Sequence, residues 1–313
     1  MARVATEQAA AASLSHGGGA FVVTVHNFSN GLLNPALGYA MSCVGSFLGL
    51  RCVTLGRARD GLSRARWLGL AAVSIGVTGI WAMHFIAMLG FTIPGEQILD
   101  NVPTTIASML VAVAVVGVGL FIVGFGDGGW PRLLAGGVII GVGMAAMHYL
   151  GMSAMSMQDS MSYNIPLVML SVLIAIVAGT AALWAGTRVN SVGAAVGAAL
   201  IMGVAVSGMH YTAMAALHIG RGPLSPLGAA GASGLPAVSG TTAAAFLIPL
   251  LLVISIATFA VTLTISISPG EDEIQADAEL ERRMEYLERR QGLSEVSAGP
   301  ESAPPWDVLD DRF

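Results

Sequence analysis

The sequence predicts an all-α membrane protein, a seven-transmembrane helix bundle built from three tandem two-helix repeats plus a seventh helix. Three observations carry that prediction. Hydrophobic residues make up 55% of the chain and charged residues 11%, with a mean hydropathy of +0.75; soluble domains usually carry about 25% charged residues. Seven apolar stretches reach the length of about 20 residues that a helix needs to cross a bilayer. A Met-His-aromatic motif recurs three times at the spacing of one out-and-back helix pair.

The expected spans are Leu32–Leu50, Trp67–Gly90, Ile106–Phe125, Leu133–Met152, Pro166–Ala185, Val192–Leu217 and Ala243–Ile267, and none contains Asp, Glu, Lys or Arg. The chain therefore divides into an extracytoplasmic segment (1–31), a membrane domain (32–267), and a cytoplasmic charged helix with a disordered tail (268–313). Arg3 is the only basic residue at the N-terminus, and 15–19 is polar and Gly-rich where a secretory signal needs an apolar core, so the first helix is expected to be retained. All 14 basic residues are Arg. Twelve fall on one side, in the loops after spans one, three and five and beyond span seven; only Arg3 and Arg221 fall on the other. The positive-inside bias then puts the N-terminus outside and the C-terminus in the cytoplasm. No basic patch interleaves with aromatics, which argues against nucleic acid as a partner.

Within the spans, Gly45/Gly49, Gly137/Gly141 and Gly193/Gly197 stand four apart and fit close helix packing. Cys43 and Cys52, nine apart, face opposite sides of one helix and read as packing residues. The Gly- and Pro-rich loop over 220–240 carries no assigned chemistry.

Span two ends in Trp-Ala-Met-His-Phe-Ile-Ala-Met (81–88), span four in Ala-Ala-Met-His-Tyr-Leu-Gly-Met (145–152), and span six in Ser-Gly-Met-His-Tyr-Thr-Ala-Met (207–214). The histidines are 64 and 62 residues apart. The odd spans echo the repeat: Asn34 and Asn164 open spans one and five beside a proline, while span three fits less well. All three motif helices run from inside to outside, and the histidines lie roughly 22 to 27 Å along them at 1.5 Å per residue. His84, His148 and His210 thus share one depth near the outer face. Met88, Met152 and Met214, four residues on, share the histidines' helix face. Met83, Met147 and Met209 are rotated by about 100° toward neighbouring helices.

Three imidazoles and several thioethers at one depth suit a transition metal. Thioether sulfur favours Cu(I); zinc more often adds thiolate or carboxylate; calcium and magnesium need oxygen ligands. Copper is the favoured cofactor and haem the alternative, since His and Met are both axial ligands. A single Met-His on an apolar helix is ordinary packing, but three copies in a membrane, where ionisable groups are costly, indicate a site. Tyr149 and Tyr211 read equally as interfacial anchors or as supports for the histidines. His16, His26 and His218 read as solvated loop residues.

At these residues the sequence resembles the MHYT domain family of bacterial membrane sensors. The name-giving Met-His-Tyr-Thr is intact over 209–212 and varied over 147–150 and 83–86. The resemblance implies a seven-helix membrane sensor that binds copper through the motif His and Met residues and responds to a diatomic gas such as O₂, CO or NO. Phe85 replaces the motif's Tyr, and Ile86 and Leu150 replace its Thr. Relatives of this kind join the sensor to a cytoplasmic signalling enzyme. Only 46 residues follow Ile267, so the expectation is a non-enzymatic sensor that signals through a separate cytoplasmic partner, itself or as a homo-oligomer. A helix over 271–291, with a partial apolar stripe of Ile274, Leu280, Met284 and Leu287, would be solvated or make that contact. The alternative function is copper transport or handling; against it, the ligands lie at one depth and the membrane core holds no carboxylate relay.

Overall fold

A computed structural model describes residues 21–22, 27–93, 98–126, 129–156, 160–221, 241–267, 279–287 and 289. The chain separates into two units, Met1–Ile267 and Ser268–Phe313. Among the described residues, the first is a bundle of seven helices long and apolar enough to cross a membrane. They are α1 (Leu33–Arg57), α2 (Gly61–Met88), α3 (Val102–Gly124), α4 (Trp130–Ser153), α5 (Ile165–Arg188), α6 (Val192–Ala215) and α7 (Ala243–Ser266).

The helices overrun the apolar stretches at their arginine-bearing ends. Arg51, Arg57, Arg64, Arg66, Arg132 and Arg188 are all helical, because long side chains keep their stems on apolar surface while their heads reach the polar boundary. That end is tied together by guanidinium groups. Arg57 Nη2 donates to Val189 O and to Asn190 Oδ1 (2.8 Å), and Arg64 Nη1 donates to Gly124 O (3.3 Å).

Helices α1 to α6 each pack on the next, and α6 packs back on α1, closing a ring; α7 lies outside on α1 and α2. Glycines set the closest approaches. A Cβ on Gly45 would lie 2.2 Å from Gly79 N, and one on Gly141 would lie 2.4 Å from Ile176 Cα. Gly49 and Gly137 are likewise pressed by α2 and α5. The expectation for Gly193 and Gly197 is corrected: no described residue lies within 4 Å of a Cβ at either, and both are exposed. They sit on an exposed face of α6. Cys43 abuts Gly203 of α6, and Cys52 is fully buried; both are free thiols.

The repeat is written in the backbone at the histidine end. Ser29 N donates to Gly90 O (3.1 Å), Asn101 N to Ala154 O (2.8 Å) and Asn164 N to Ala216 O (2.8 Å). Each acceptor stands six residues after a motif histidine, and each donor precedes the odd helix of the same pair. Span three therefore fits the repeat after all: Asn101-Val-Pro103 matches Asn164-Ile-Pro166, and each Asn Oδ1 accepts an N–H three residues on (Thr104, 3.0 Å; Leu167, 3.3 Å). These are N-caps with proline in the first turn. Asn34 acts differently, donating from Nδ2 to Ile86 O (2.8 Å) beside the first motif.

Short strands cover this end. β1 (Phe21–Val22), β5 (Leu217–Arg221) and β4 (Ser160–Tyr163) form one antiparallel sheet in that order. β3 (Met155–Ser156), β2 (Leu99–Asp100) and β6 (Thr241–Thr242) form another. In the second unit the described part is one exposed helix (279–287) with Arg283–Glu279 and Arg289–Glu285 pairs at 3.0 and 2.6 Å. Leu280, Met284 and Leu287 are at least half exposed on it. Ile274 and the tail, like most of segment 1–31 with His16 and His26, lie outside the described residues.

Candidate metal centre

The three histidines meet. His84, His148 and His210, from α2, α4 and α6, are each 1% exposed, and their Nδ1 atoms form a triangle. Its edges are 3.1 Å (His84–His210), 3.1 Å (His84–His148) and 3.3 Å (His148–His210). The rings stand edge to face, with interplanar angles of 79–82°. Among the described residues they are the one group of three His, Cys, Asp or Glu close enough to hold a metal ion.

Hydrogen bonding alone does not account for this arrangement. A neutral imidazole nitrogen has one in-plane hydrogen or one in-plane lone pair. Three such atoms in a triangle satisfy at most two of its edges. Nitrogens bound about 2.0 Å from one ion at the tetrahedral angle would stand about 3.3 Å apart, which matches the observed edges. The Nε2 atoms of His84 and His148 are buried without a hydrogen-bond partner among the described residues.

The six motif methionines are buried, in two layers. Met83, Met147 and Met209 belong to the central core with Trp81, Phe85 and Met144. Met88, Met152 and Met214 belong to an outer cluster with Met155, Phe91 and Leu217. Along each helix the histidine therefore stands between one methionine of each layer.

Local chemistry explains the motif's variable positions. Gly151 of α4 occupies the small-residue place filled by Ala87 and Ala213 in the other copies. A Cβ there would lie 2.7 Å from His84 Nε2 and 3.5 Å from Phe85 Cζ. The missing methyl makes room for the His84 ring. It also explains Phe85: its Cζ, which carries the hydroxyl in tyrosine, lies against α4, and its ring packs on Trp81 (4.5 Å). Trp81 is in turn held by Nε1 donating to Ser108 Oγ (3.0 Å). The stretch before this histidine, Ser74–Ala82, is wound as a π-helix, a form frequent at functional sites. The tyrosines support neighbouring elements: Tyr149 shares a hydrogen bond with Ser171 Oγ (3.2 Å), and Tyr211 stacks on Phe28. His218 lies on β5, its Nδ1 facing Ala216 O at 3.1 Å. In the strand cap, burial raises the Asp100 carboxyl above its ordinary range and, with Tyr149 nearby, pushes Tyr163 up to about 12.

Sequence reasoning missed Gly151, Asn101 and the π-wound segment. The Asn-x-Pro of 101–103 was a usable signal; the close contact of Gly151 with another helix has no local one.

The family model of the MHYT repeat, a bacterial signalling protein N-terminal repeat, matches residues 78–136 and 141–199. The membrane domain carries two copies of the MHYT repeat. The first match begins just before His84 and the second just before His148, so the family's unit starts at the motif and runs through the next odd helix; the third motif lies beyond the matched residues. The chain is 38% identical over 241 residues to the bifunctional diguanylate cyclase/cyclic di-GMP phosphodiesterase MucR of Pseudomonas aeruginosa, covering 75% of this chain and 32% of that protein. It is 36% identical over 199 residues to the cyclic di-GMP phosphodiesterase NbdA of the same organism (61% and 25%) and 30% identical over 190 residues to the signaling protein YkoW of Bacillus subtilis (58% and 23%). The chain thus spans about a third or less of the length of the curated relatives it matches. No solved structure matches it.

Proposed function

We propose that this MHYT protein is a membrane sensor that holds a copper ion on His84, His148 and His210 and responds to a diatomic gas (O₂, NO or CO) or to redox state. The observation that carries this reading is the mutual approach of three Nδ1 atoms, too many for hydrogen bonding to satisfy and spaced as ligands of one ion. Three imidazoles suit copper and zinc alike; the thioethers of Met88, Met152 and Met214 on one side and of Met83, Met147 and Met209 on the other favour copper. When bound, the metal would supply a redox-active centre able to take a small ligand. The short nitrogen separations weigh against haem, whose plane would have to pass between two rings. Transport is disfavoured because the three histidines form one layer.

The arginine-rich end faces the cytoplasm in this reading, following the positive-inside rule, and the histidines lie toward the outer face of a bacterial plasma membrane. Relatives named as cyclic di-GMP enzymes suggest the output: the sensor acts on a cytoplasmic signalling partner, and the membrane domain itself is not the catalyst. A ligand biases such a bundle only by binding one arrangement better than another.

Elemental analysis and visible spectroscopy of the detergent-purified protein test the assignment. Copper near one per chain, lost when His84, His148 and His210 are all changed to Ala, is the expected result. Stoichiometric zinc, a Soret band, or a folded protein that takes up no copper would each overturn it.

A further inference from the structure

A cavity of about 30 Å³ lies within the ring, lined by residues of all six of its helices. Three of its lining residues are Ile80, Met144 and Val206. Each stands four residues before a motif histidine, so the cavity lies about one helical turn from the histidine layer, toward the arginine end. Among the lining residues Ser46 has the one polar side chain. The volume admits one or two water-sized molecules, but a stable buried water needs two to four polar partners. Apolar cavities of this kind stay dry and take up small apolar guests.

A second cavity, of about 240 Å³, opens among Arg57, Arg64 and Gly126 at the arginine end. Val53, Leu120, Leu183 and Gly186 line both cavities. The two therefore meet at these four side chains, on the arginine-end side of the inner cavity.

We infer that the inner cavity is a docking pocket for one diatomic gas molecule, entered from the arginine end and holding its guest one turn from the three histidines. Docking is non-covalent and driven by dispersion with the polarisable Met144 sulfur and the branched side chains around it. An ion or a polar metabolite finds no partner there, so the pocket selects small, neutral, apolar molecules. The gas-delivery role rests on the metal-site reading; the pocket itself does not.

Xenon, a neutral apolar probe, tests it with the full chain. Crystals pressurised with xenon are expected to show an anomalous peak among Ile80, Met144 and Val206. The peak is expected to be lost in Ala182→Leu, which fills the lining, and weakened in Ala182→Val, with metal content unchanged in both. Absence of xenon from the folded wild type, or a peak unchanged in a folded Ala182→Leu, overturns the pocket. Xenon bound in a chain that takes up no copper supports the pocket and overturns only the metal reading. In copper-loaded protein, slower NO binding in Ala182→Leu supports delivery through the pocket, and an unchanged rate overturns it.

Discussion

Helices α2 and α7 pack against each other, and both are apolar enough to cross a membrane, yet they are built for opposite surroundings. The apolar window of α2 has a mean hydropathy of 1.7 and is 78% buried within the protein; that of α7 has 2.6 and is 11% buried. The more apolar helix is the outer one. In lipid no hydrophobic drive pushes apolar side chains inward, so helix association depends on small residues, close packing and polar contacts. α2 supplies these with Gly76, Gly79, Ser74, Thr78 and His84, whereas α7 meets it through few side chains, among them Thr258, whose Oγ1 lies 3.0 Å from Thr78 Oγ1. The same ordering separates α4, 56% buried at 1.8, from α5, 22% buried at 2.4. Hydropathy finds the spans; the polar and small residues within them find the core.

This contrast ranks the expected effects of substitution. The largest belongs to the α1–α2 contact. Gly45→Ala puts a methyl 2.2 Å from backbone that has no room to yield, and is expected to cost about 3 kcal/mol, the top of the usual range for overpacking. Gly197→Ala, on an open face of α6, is expected to raise stability slightly, by up to about 1 kcal/mol. Thermal unfolding in one detergent compares the two, and equal behaviour would break the inside–outside distinction.

Gly151→Ala comes next. Its methyl meets His84 Nε2 at 2.7 Å, so copper affinity is expected to fall by about ten- to a hundredfold, as when other groups that position a metal ligand are lost. Gly208→Ala, beside the third motif with nothing within 4 Å, is the matched control, and competition with a chelator reads both. Smaller again are the helix starts: Asn101→Ala and Asn164→Ala each remove an N-cap and should cost about 1 kcal/mol. Thr258→Val should cost least, about 0.6 kcal/mol, since it removes one interhelical hydrogen bond of α7. A Thr258→Val loss as large as that of Gly45→Ala would show that α7 belongs to the core.

Much of this was legible in the sequence because the signals are local. Seven apolar runs gave seven helices, and Met-His-aromatic at a spacing of 64 and 62 residues gave three histidines at one end of one bundle. Arginines bounding the runs looked like loop residues, yet helices continue through Arg51, Arg57, Arg64 and Arg188, since hydropathy marks where lipid begins and not where a helix stops. Gly193 and Gly197 match the same four-residue pattern as Gly45 and Gly49 but face outward, because a pattern on one helix does not say which neighbour is present. Gly151 is the instructive case. Its role depends on a ring from another helix, 67 residues earlier in the chain, and only the assembled bundle brings them together. The axial cavity was invisible for the same reason.

The central claim is that three Nδ1 atoms converge on a single metal ion, and X-ray absorption at the copper edge tests it most directly. The purified protein loaded with one copper per chain should show three nitrogen ligands at about 2.0 Å, falling to two in His148→Ala. A copper environment made of sulfur alone, or one unchanged by His148→Ala, would contradict the account.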